Sequence, residues 1–378
     1  MIARIVTWAV EKRWLVLLLT VIVAAIGAFS LYRLPIDAVP DITNNQVQIN
    51  VRAPALSPEL VEKQVSFPIE TALAGTPGLE YTRSLSRNGF AQITAVFSDA
   101  TDIYFARQQV GERLRGVQEN LPDGVNPEMG PIATGLGEVY MYTVRLDHRE
   151  DDKHKPGEPG QQPDGSYITP EGERLTTEED KATYLRTAQD WIVTPLLKTT
   201  PGLAGVDSIG GYAKQFLVVP DVQKLASLGI TLTDLGNALE RNNTSVGGGF
   251  VNRNGEGLAV RSDALVRNAS ELARTVIATR NGVPITVEQV ATVKTGQAIR
   301  MGSASENGTE VVVGTAIMRI GENSRIVSTA VAEKLKTINA SLPPDVVIQP
   351  VLNRTVTGLQ LELLPVTVQA LQIQPIQP

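Results

Sequence analysis

Between Trp14 and Tyr32 the chain reads WLVLLLTVIVAAIGAFSLY, nineteen residues without a charge. As a helix rising about 1.5 Å per residue, this run reaches ~28 Å, the thickness of a bilayer's hydrocarbon core. No other stretch of the 378 residues approaches it, and the chain beyond Tyr32 reads as ordinary water-exposed material. The run therefore separates a short N-terminal piece from the bulk of the protein.

The flanks orient that helix. Arg4, Lys12 and Arg13 precede it against Glu11, while Arg33, Asp37 and Asp41 follow. Positive charge on the N-terminal side predicts a cytoplasmic N-terminus and export of the remainder. Trp8, Trp14 and Tyr32 suit the two interfaces, and Ile2, Ile5, Val6 and Ala9 are spaced to lie along the inner surface. Ala28-Phe29-Ser30 offers the competing reading, a cleavable export signal. The apolar run exceeds the about 7–15 residues usual for such a signal, which favours an uncleaved span.

Composition removes several classes of function. A net charge of −6 argues against a nucleic-acid surface, which needs clustered Lys and Arg. Cysteine is absent, so disulfides and thiolate metal sites are excluded. With His148 and His154 the only histidines, a histidine-based zinc enzyme is not expected. No Ser-His-Asp set can be assembled, and no acid pair stands out for proton transfer.

Beyond the proline-punctuated exit from Arg33 to Asp41, the chain alternates strand and helix. Gln46–Arg52 has period-2 spacing with Val47, Ile49 and Val51 on one face. Ser57-Pro58-Glu59 opens a helix running to Gly75, which Pro68 should kink. Strands at 81–86 and 90–97 join through Arg87-Asn88-Gly89. A helix from 101 to 120 places Ile103, Phe105, Ala106, Val110, Leu114 and Val117 inward. A further strand would complete a split βαβ unit of ferredoxin-like type. After Pro131 the pattern restarts with a strand at 139–146, a helix at 185–199 and a strand at 203–208. It resumes with a strand at 310–319, a helix at 324–340 and a strand at 346–351.

The material between reads as an insertion with strands at 215–219 and 257–262 and short helices at 221–228, 233–242 and 269–274. Gly247-Gly248-Gly249 is expected at its hairpin tip, a flexible arm rather than a phosphate loop, since no GK[ST] follows. Residues 148–183, charged and poor in large aliphatics, read as a solvated, partly disordered loop. The fold class expected is thus α+β, with one N-terminal transmembrane helix before two split βαβ units, the second interrupted.

Several segments resemble heavy-metal efflux pumps of the resistance-nodulation-division superfamily, the cobalt-zinc-cadmium type above all. They are Leu34-Pro35-Ile36-Asp37-Ala38-Val39-Pro40-Asp41-Ile42-Thr43-Asn44, the stretch Glu59 to Gly78, Gly130 to Glu138, Gln189-Asp190-Trp191, Pro201-Gly202 through Phe216, and Leu239-Glu240-Arg241-Asn242-Asn243. The resemblance implies a homotrimeric proton antiporter of the bacterial inner membrane. It also implies a periplasmic adaptor and an outer-membrane channel as partners, with residues after about 35 in the periplasm. On that map residues 1–13 are cytoplasmic or interfacial and 14–34 span the membrane. Residues 38–130 form a first porter subdomain. Residues 131–201 and 282–351 form the second, split by a docking subdomain at 202–281. The tail at 356–378 departs from the pattern, as expected of a truncated or frame-shifted product or, alternatively, of a genuine short protein.

Glu138 is the candidate metal ligand. It follows Gly135-Leu136-Gly137 at a strand start, and the resemblance implies that an acid here is a first ligand of a porter-domain metal site. A carboxylate suits Zn²⁺ or Co²⁺. The plain alternative is a strand-end carboxylate paired with an arginine. Asp147, His148, Glu150, Asp151, Asp152 and His154 form a dense donor set, read foremost as a solvated charged loop. Met129, Met141, Met301 and Met318 lack a clustered spacing and read as core or gap fillers. No resident cofactor is expected; the cation, Zn²⁺, Co²⁺ or Cd²⁺, is cargo. The functional expectation is the N-terminal portion of a metal-cation antiporter that does not transport by itself. Its rivals are a membrane-anchored periplasmic binding or adaptor module and, less well supported, a hydrolase.

Overall fold

The computed structural model describes residues 8–33, 43–147, 155–253, 256–263, 265–280, 282–300, 302–353 and 366–369. The inner-surface positions Ile2, Ile5 and Val6, the exit at 34–42, the donors His148 to His154, Met301 and most of the tail lie outside them.

The apolar run forms helix α1 (Arg13–Arg33), and none of its 18-residue apolar window Arg13–Ser30, of mean hydropathy 2.1, is buried. Its Thr20 folds the hydroxyl back onto Val16 O at 2.9 Å, so the side chain adds no unpaired polar group to an apolar surface.

The first globular unit follows the expected order: β1 (Gln46–Arg52), α2 (Pro58–Val61), α3 (Phe67–Leu73), β2 (Leu79–Arg87), β3 (Phe90–Phe97), α4 (Ile103–Val117) and β4 (Asn126–Met129). Its antiparallel sheet runs β2-β3-β1-β4. Val47, Ile49 and Val51 are buried as the alternation requires, against Val61, Val65, Ile69, Val110 and Leu114. Ser57 caps α2 by accepting from Leu60 N, and Gly89 at φ +70° closes the β2–β3 hairpin. Phe105 is a correction: the inward stripe of α4 is Ala106, Val110, Leu114 and Val117, and Phe105 is exposed. One residue turns a helix by about 100°, enough to carry Phe105 off that stripe.

Between α2 and α3 the helix widens into a π turn, Glu62–Ser66, immediately before Pro68. Proline has no N–H and its ring crowds the carbonyl four residues back, and the extra residue of a π turn accommodates both. The second unit repeats the device. Helix α5 (Glu178–Ala188) passes through the π turn Gln189–Val193 into α6 (Thr194–Leu197), with Pro195 at its start. Both composite helices end before a Thr-Pro-Gly-Leu segment, Thr76–Leu79 and Thr200–Leu203, whose Gly78 and Gly202 have φ +76° and +83°.

The second unit contains β5 (Glu138–Leu146), β9 (Leu203–Ile209), β17 (Thr309–Met318), α11 (Ser324–Ser341) and β18 (Val346–Asn353). Its sheet runs β18-β5-β17, and β9 pairs with the far end of β17. At the near end of β17 the hairpin strand β16 (Ser303–Glu306) intervenes, and β19 (Val366–Gln369) adds to its outer edge. Tyr142, Val144, Leu185, Val193, Leu197, Val331, Leu335 and Val346 fill the core.

Residues 155–175 depart from the loop expected there. They form a three-stranded meander, β6 (Gly160–Gln161), β7 (Tyr167–Ile168) and β8 (Arg174–Leu175). Tyr167 and Leu175 anchor it in the second core. Tyr167 Oη donates to Pro344 O at 2.8 Å, and Gln161 N donates to Asp345 Oδ2 at 2.7 Å. Two buried side chains and a few hydrogen bonds suffice where composition alone favours solvation.

The insertion begins with β10 (Lys214–Pro220) and ends with β15 (Ala291–Gln297), and these two strands pair over their whole length. That pairing moves its limits from 202 and 281 to 214 and 297. It carries α7 (Val222–Ser227), α8 (Leu232–Arg241), the ribbon β11 (Ser245–Arg253) and β12 (Glu256–Asp263), α9 (Ala269–Ala273), β13 (Val276–Arg280), β14 (Val283–Thr286) and α10 (Val287–Val290). Gly247–Gly249 lies inside β11 at a bulge between Gly247 and Phe250, not at the hairpin tip. Glycines tolerate the local bend that a bulge imposes.

Candidate functional site

Glu138 opens β5 beside Ile317 of β17 and is exposed. The preceding glycine explains its placement. A Cβ on Gly137 would lie 3.0 Å from Met318 O and 3.1 Å from Thr134 O, and Gly137 O accepts from Met318 N at 2.6 Å. A side chain there would press on both carbonyls, and the neighbouring backbone would have to give by a few tenths of an ångström.

The direction of Glu138 follows from a bulge. The β5–β17 register skips one residue, so that Glu138 faces Ile317 and Tyr140 faces Ala316. Val139 and Tyr140 both enter the core, as do Tyr142 and Val144. Alternation then turns Glu138, Met141 and Thr143 to the opposite face of the sheet. On β9, Val206 belongs to the core and Asp207 therefore points to that same face. Asp207 pairs with Thr315, whose other neighbour is Met141. Two carboxylates and a thioether thus share one sheet face within two strand spacings, about 10 Å across.

Part of Asp207 reaches solvent, yet the adjoining chain strips water from the carboxyl and raises its pKa above the ordinary aspartate value; Lys198 offsets part of the rise. No motif in the sequence marks Asp207. Its one signal is a lone acid in the otherwise uncharged strand Leu203–Ile209.

The other donors stand apart. Asp147 is held by Arg145 at 2.5 Å, and Arg145 also reaches Glu306 at 3.2 Å. Met129 packs against the first core and Met318 against the second. Among the described residues, no group of three or more His, Cys, Asp or Glu converges as a metal cage. No cation lies within ion-pair distance of Glu138 among them. A cavity of about 480 Å³ opens at the other end of β5, lined by Arg145, Asp147, Glu178, Lys181, Glu306 and Glu310. Each of its carboxylates already has a basic partner, with Glu310 on Arg300.

Comparison with known proteins gives the family of the chain. Residues 5–358 match the AcrB/AcrD/AcrF family. The chain is 56% identical over 357 residues to the nickel-cobalt-cadmium resistance protein NccA of Alcaligenes xylosoxydans xylosoxydans, covering 94% of this chain and 33% of that protein. It is 47% identical over 355 residues to the cobalt-zinc-cadmium resistance protein CzcA of Cupriavidus metallidurans, covering 94% and 31%. The crystal structure of a heavy metal efflux pump superposes with a TM-score of 0.77 at 29% identity, covering 93% of this chain and 32% of that one. The chain spans about a third of the length of these relatives. It belongs to the AcrB/AcrD/AcrF family and corresponds to the N-terminal part of that family's heavy-metal efflux proteins.

Proposed function

We propose that this chain forms the N-terminal part of a proton-driven exporter of divalent metal cations such as Zn²⁺, Co²⁺, Ni²⁺ or Cd²⁺. Helix α1 lies in the inner membrane and the residues after about 35 in the periplasm. The two units are split βαβ porter subdomains, and the insertion is a docking lobe that meets an adaptor and an outer-membrane channel in a homotrimer. The observation that carries the cargo assignment is the shared face of Glu138 and Met141 on β5 and Asp207 on β9, across Thr315 of β17. Carboxylates suit hard and borderline divalent cations, and a thioether adds tolerance for softer ones.

Set about 10 Å apart, the two carboxylates are successive weak contacts for a passing cation rather than one coordination shell. The surrounding units change its access while protons move through acids elsewhere in the assembly. Helix α1 itself carries no carboxylate. These residues alone therefore do not transport. Calorimetric Co²⁺ titration of the full chain is expected to show weak binding that Glu138→Ala and Asp207→Asn each diminish. Binding indifferent to both changes would sink the cargo site. Restored zinc tolerance in a metal-sensitive strain expressing this chain alone would refute the statement that it does not transport.

A further inference from the structure

The inserted lobe leaves the second unit through residues 210–213, and its returning segment includes residues 298–300. Gly210 and Gly211 stand at φ +89° and +61°. A Cβ on Gly210 would lie 2.4 Å from Val311 O, and one on Gly211 would lie 2.6 Å from Ala182 O. Successive glycines at the root of a lobe are where a small φ/ψ change turns into a large rotation.

One side chain opposes that rotation. Arg300, on the returning crossing, places its guanidinium carbon 4.6 Å from the centroid of the Tyr212 ring on the outgoing crossing. The same guanidinium is ion-paired with Glu310 of β17. A planar guanidinium can stack on a ring and donate in its own plane at once, which an ammonium cannot. The adjacent Ile299 is 97% exposed and adds no apolar packing to the returning crossing. Backbone fastening at this level includes the bond from Ala298 N to Ala213 O, 2.9 Å. On the side of the second unit, Arg186 fixes the base by donating to Gly210 O at 3.0 Å and to Asp190 Oδ2 at 2.8 Å.

Glu310 also belongs to the β16–β17 hairpin, whose Glu306 is held by Arg145 of β5. Arg300, just before β16, and Glu310, at the start of β17, thus fasten the returning crossing to a hairpin that is itself tied to β5. We propose that Arg300 is a latch that fixes the angle of the inserted lobe by joining Tyr212 of the outgoing crossing to Glu310 of β17, with Gly210 and Gly211 as the hinge. The Lys214–Glu173 pair at 3.3 Å, exposed on both sides, is a secondary tether.

The chain has no cysteine, so introduced thiols can be spin-labelled without background. Labels at Ser270→Cys on α9 and Thr337→Cys on α11 of the full chain report the lobe angle as a distance distribution by pulsed electron resonance. The parent is expected to give one narrow distribution, and Arg300→Ala one about twofold broader. Arg300→Lys should fall between them, while Tyr212→Leu and Glu310→Gln should each broaden it less than Arg300→Ala. A parental width for Arg300→Ala with an unchanged circular dichroism spectrum overturns the latch. Should Arg300→Ala not fold, parental widths for both Tyr212→Leu and Glu310→Gln overturn it.

Discussion

Gly314 of β17 lies directly against the ring of Tyr142 on β5: the two are register partners, and a Cβ on Gly314 would sit 2.2 Å from Tyr142 Cζ. The ring is fully buried and cannot step aside. Gly314→Ala is expected to destabilise the chain by about 1–3 kcal/mol through overpacking. A lowered urea midpoint in near-ultraviolet circular dichroism checks this; an unmoved midpoint would show that the sheet yields.

Gln189 supports that ring from the other side. Its Nε2 lies 3.1 Å from Tyr142 Oη, 3.1 Å from Ser208 Oγ and 3.2 Å from Thr194 Oγ1, three hydroxyls that share its two N–H donors within a π turn. Burial pushes the Tyr142 hydroxyl well above the ordinary tyrosine value, although the Gln189 bond opposes the rise. Gln189→Leu leaves buried hydroxyls without this partner and should cost about 1–3 kcal/mol. Gln189→Glu is not a rescue, because it places a charge there; thermal unfolding of both variants decides between these outcomes.

The two Thr-Pro-Gly-Leu segments make a paired prediction. A Cβ on Gly78 would meet Thr101 Oγ1 at 2.3 Å, and one on Gly202 would meet Val327 Cγ2 at 2.6 Å, both at left-handed φ. Alanine at either position adds strain to a clash, and a loss of about 1–3 kcal/mol is expected for each. Limited proteolysis should locate the loosening to the first unit for Gly78→Ala and to the second for Gly202→Ala. Indistinguishable cleavage patterns would show that the two units unfold as one.

Asp207 predicts a pH dependence. Its folded pKa is raised by desolvation, so the folded chain holds this proton more tightly than the unfolded chain. The contribution is therefore present below the unfolded value of about 3.9 and is lost as pH rises through the folded value. Relative to the parent, Asp207→Asn should gain stability over that rise and show no gain below it. Urea midpoints measured across the acid range test the sign, and an advantage confined to low pH would reverse the assignment.

The membrane reading is tested at Val23, near the middle of α1. Val23→Arg places a charge mid-span at a cost of about 2.5–3.5 kcal/mol for insertion. The variant should become extractable by alkaline carbonate while the parent stays in the membrane pellet.

Elements whose signal is local were readable directly. Ser57 before Pro58, Asn88-Gly89 between two apolar runs, and the alternation through Val47, Ile49 and Val51 each dictate backbone geometry within a few residues. The π turns were not readable, since Glu62–Ser66 suits an α-helix equally well and only the tertiary fit around Pro68 selects the wider turn. The meander at 155–175 rests on Tyr167 and Leu175, two apolar anchors in a polar segment. Of the two carboxylates in the proposed site, Glu138 stands out in the sequence beside its glycines, whereas Asp207 acquires meaning only from the register that sets it opposite Thr315, a non-local property.

The crossings at the root of the inserted lobe carry one more consequence. A Cβ on Gly210 would lie 3.3 Å from Ala304 N, so the points of departure and return nearly touch. Joining them needs only a tight turn, and closing so short a gap carries little entropic penalty. Excising residues 214–297 across such a turn is therefore expected to leave the β18-β5-β17 pairings of the host sheet in register.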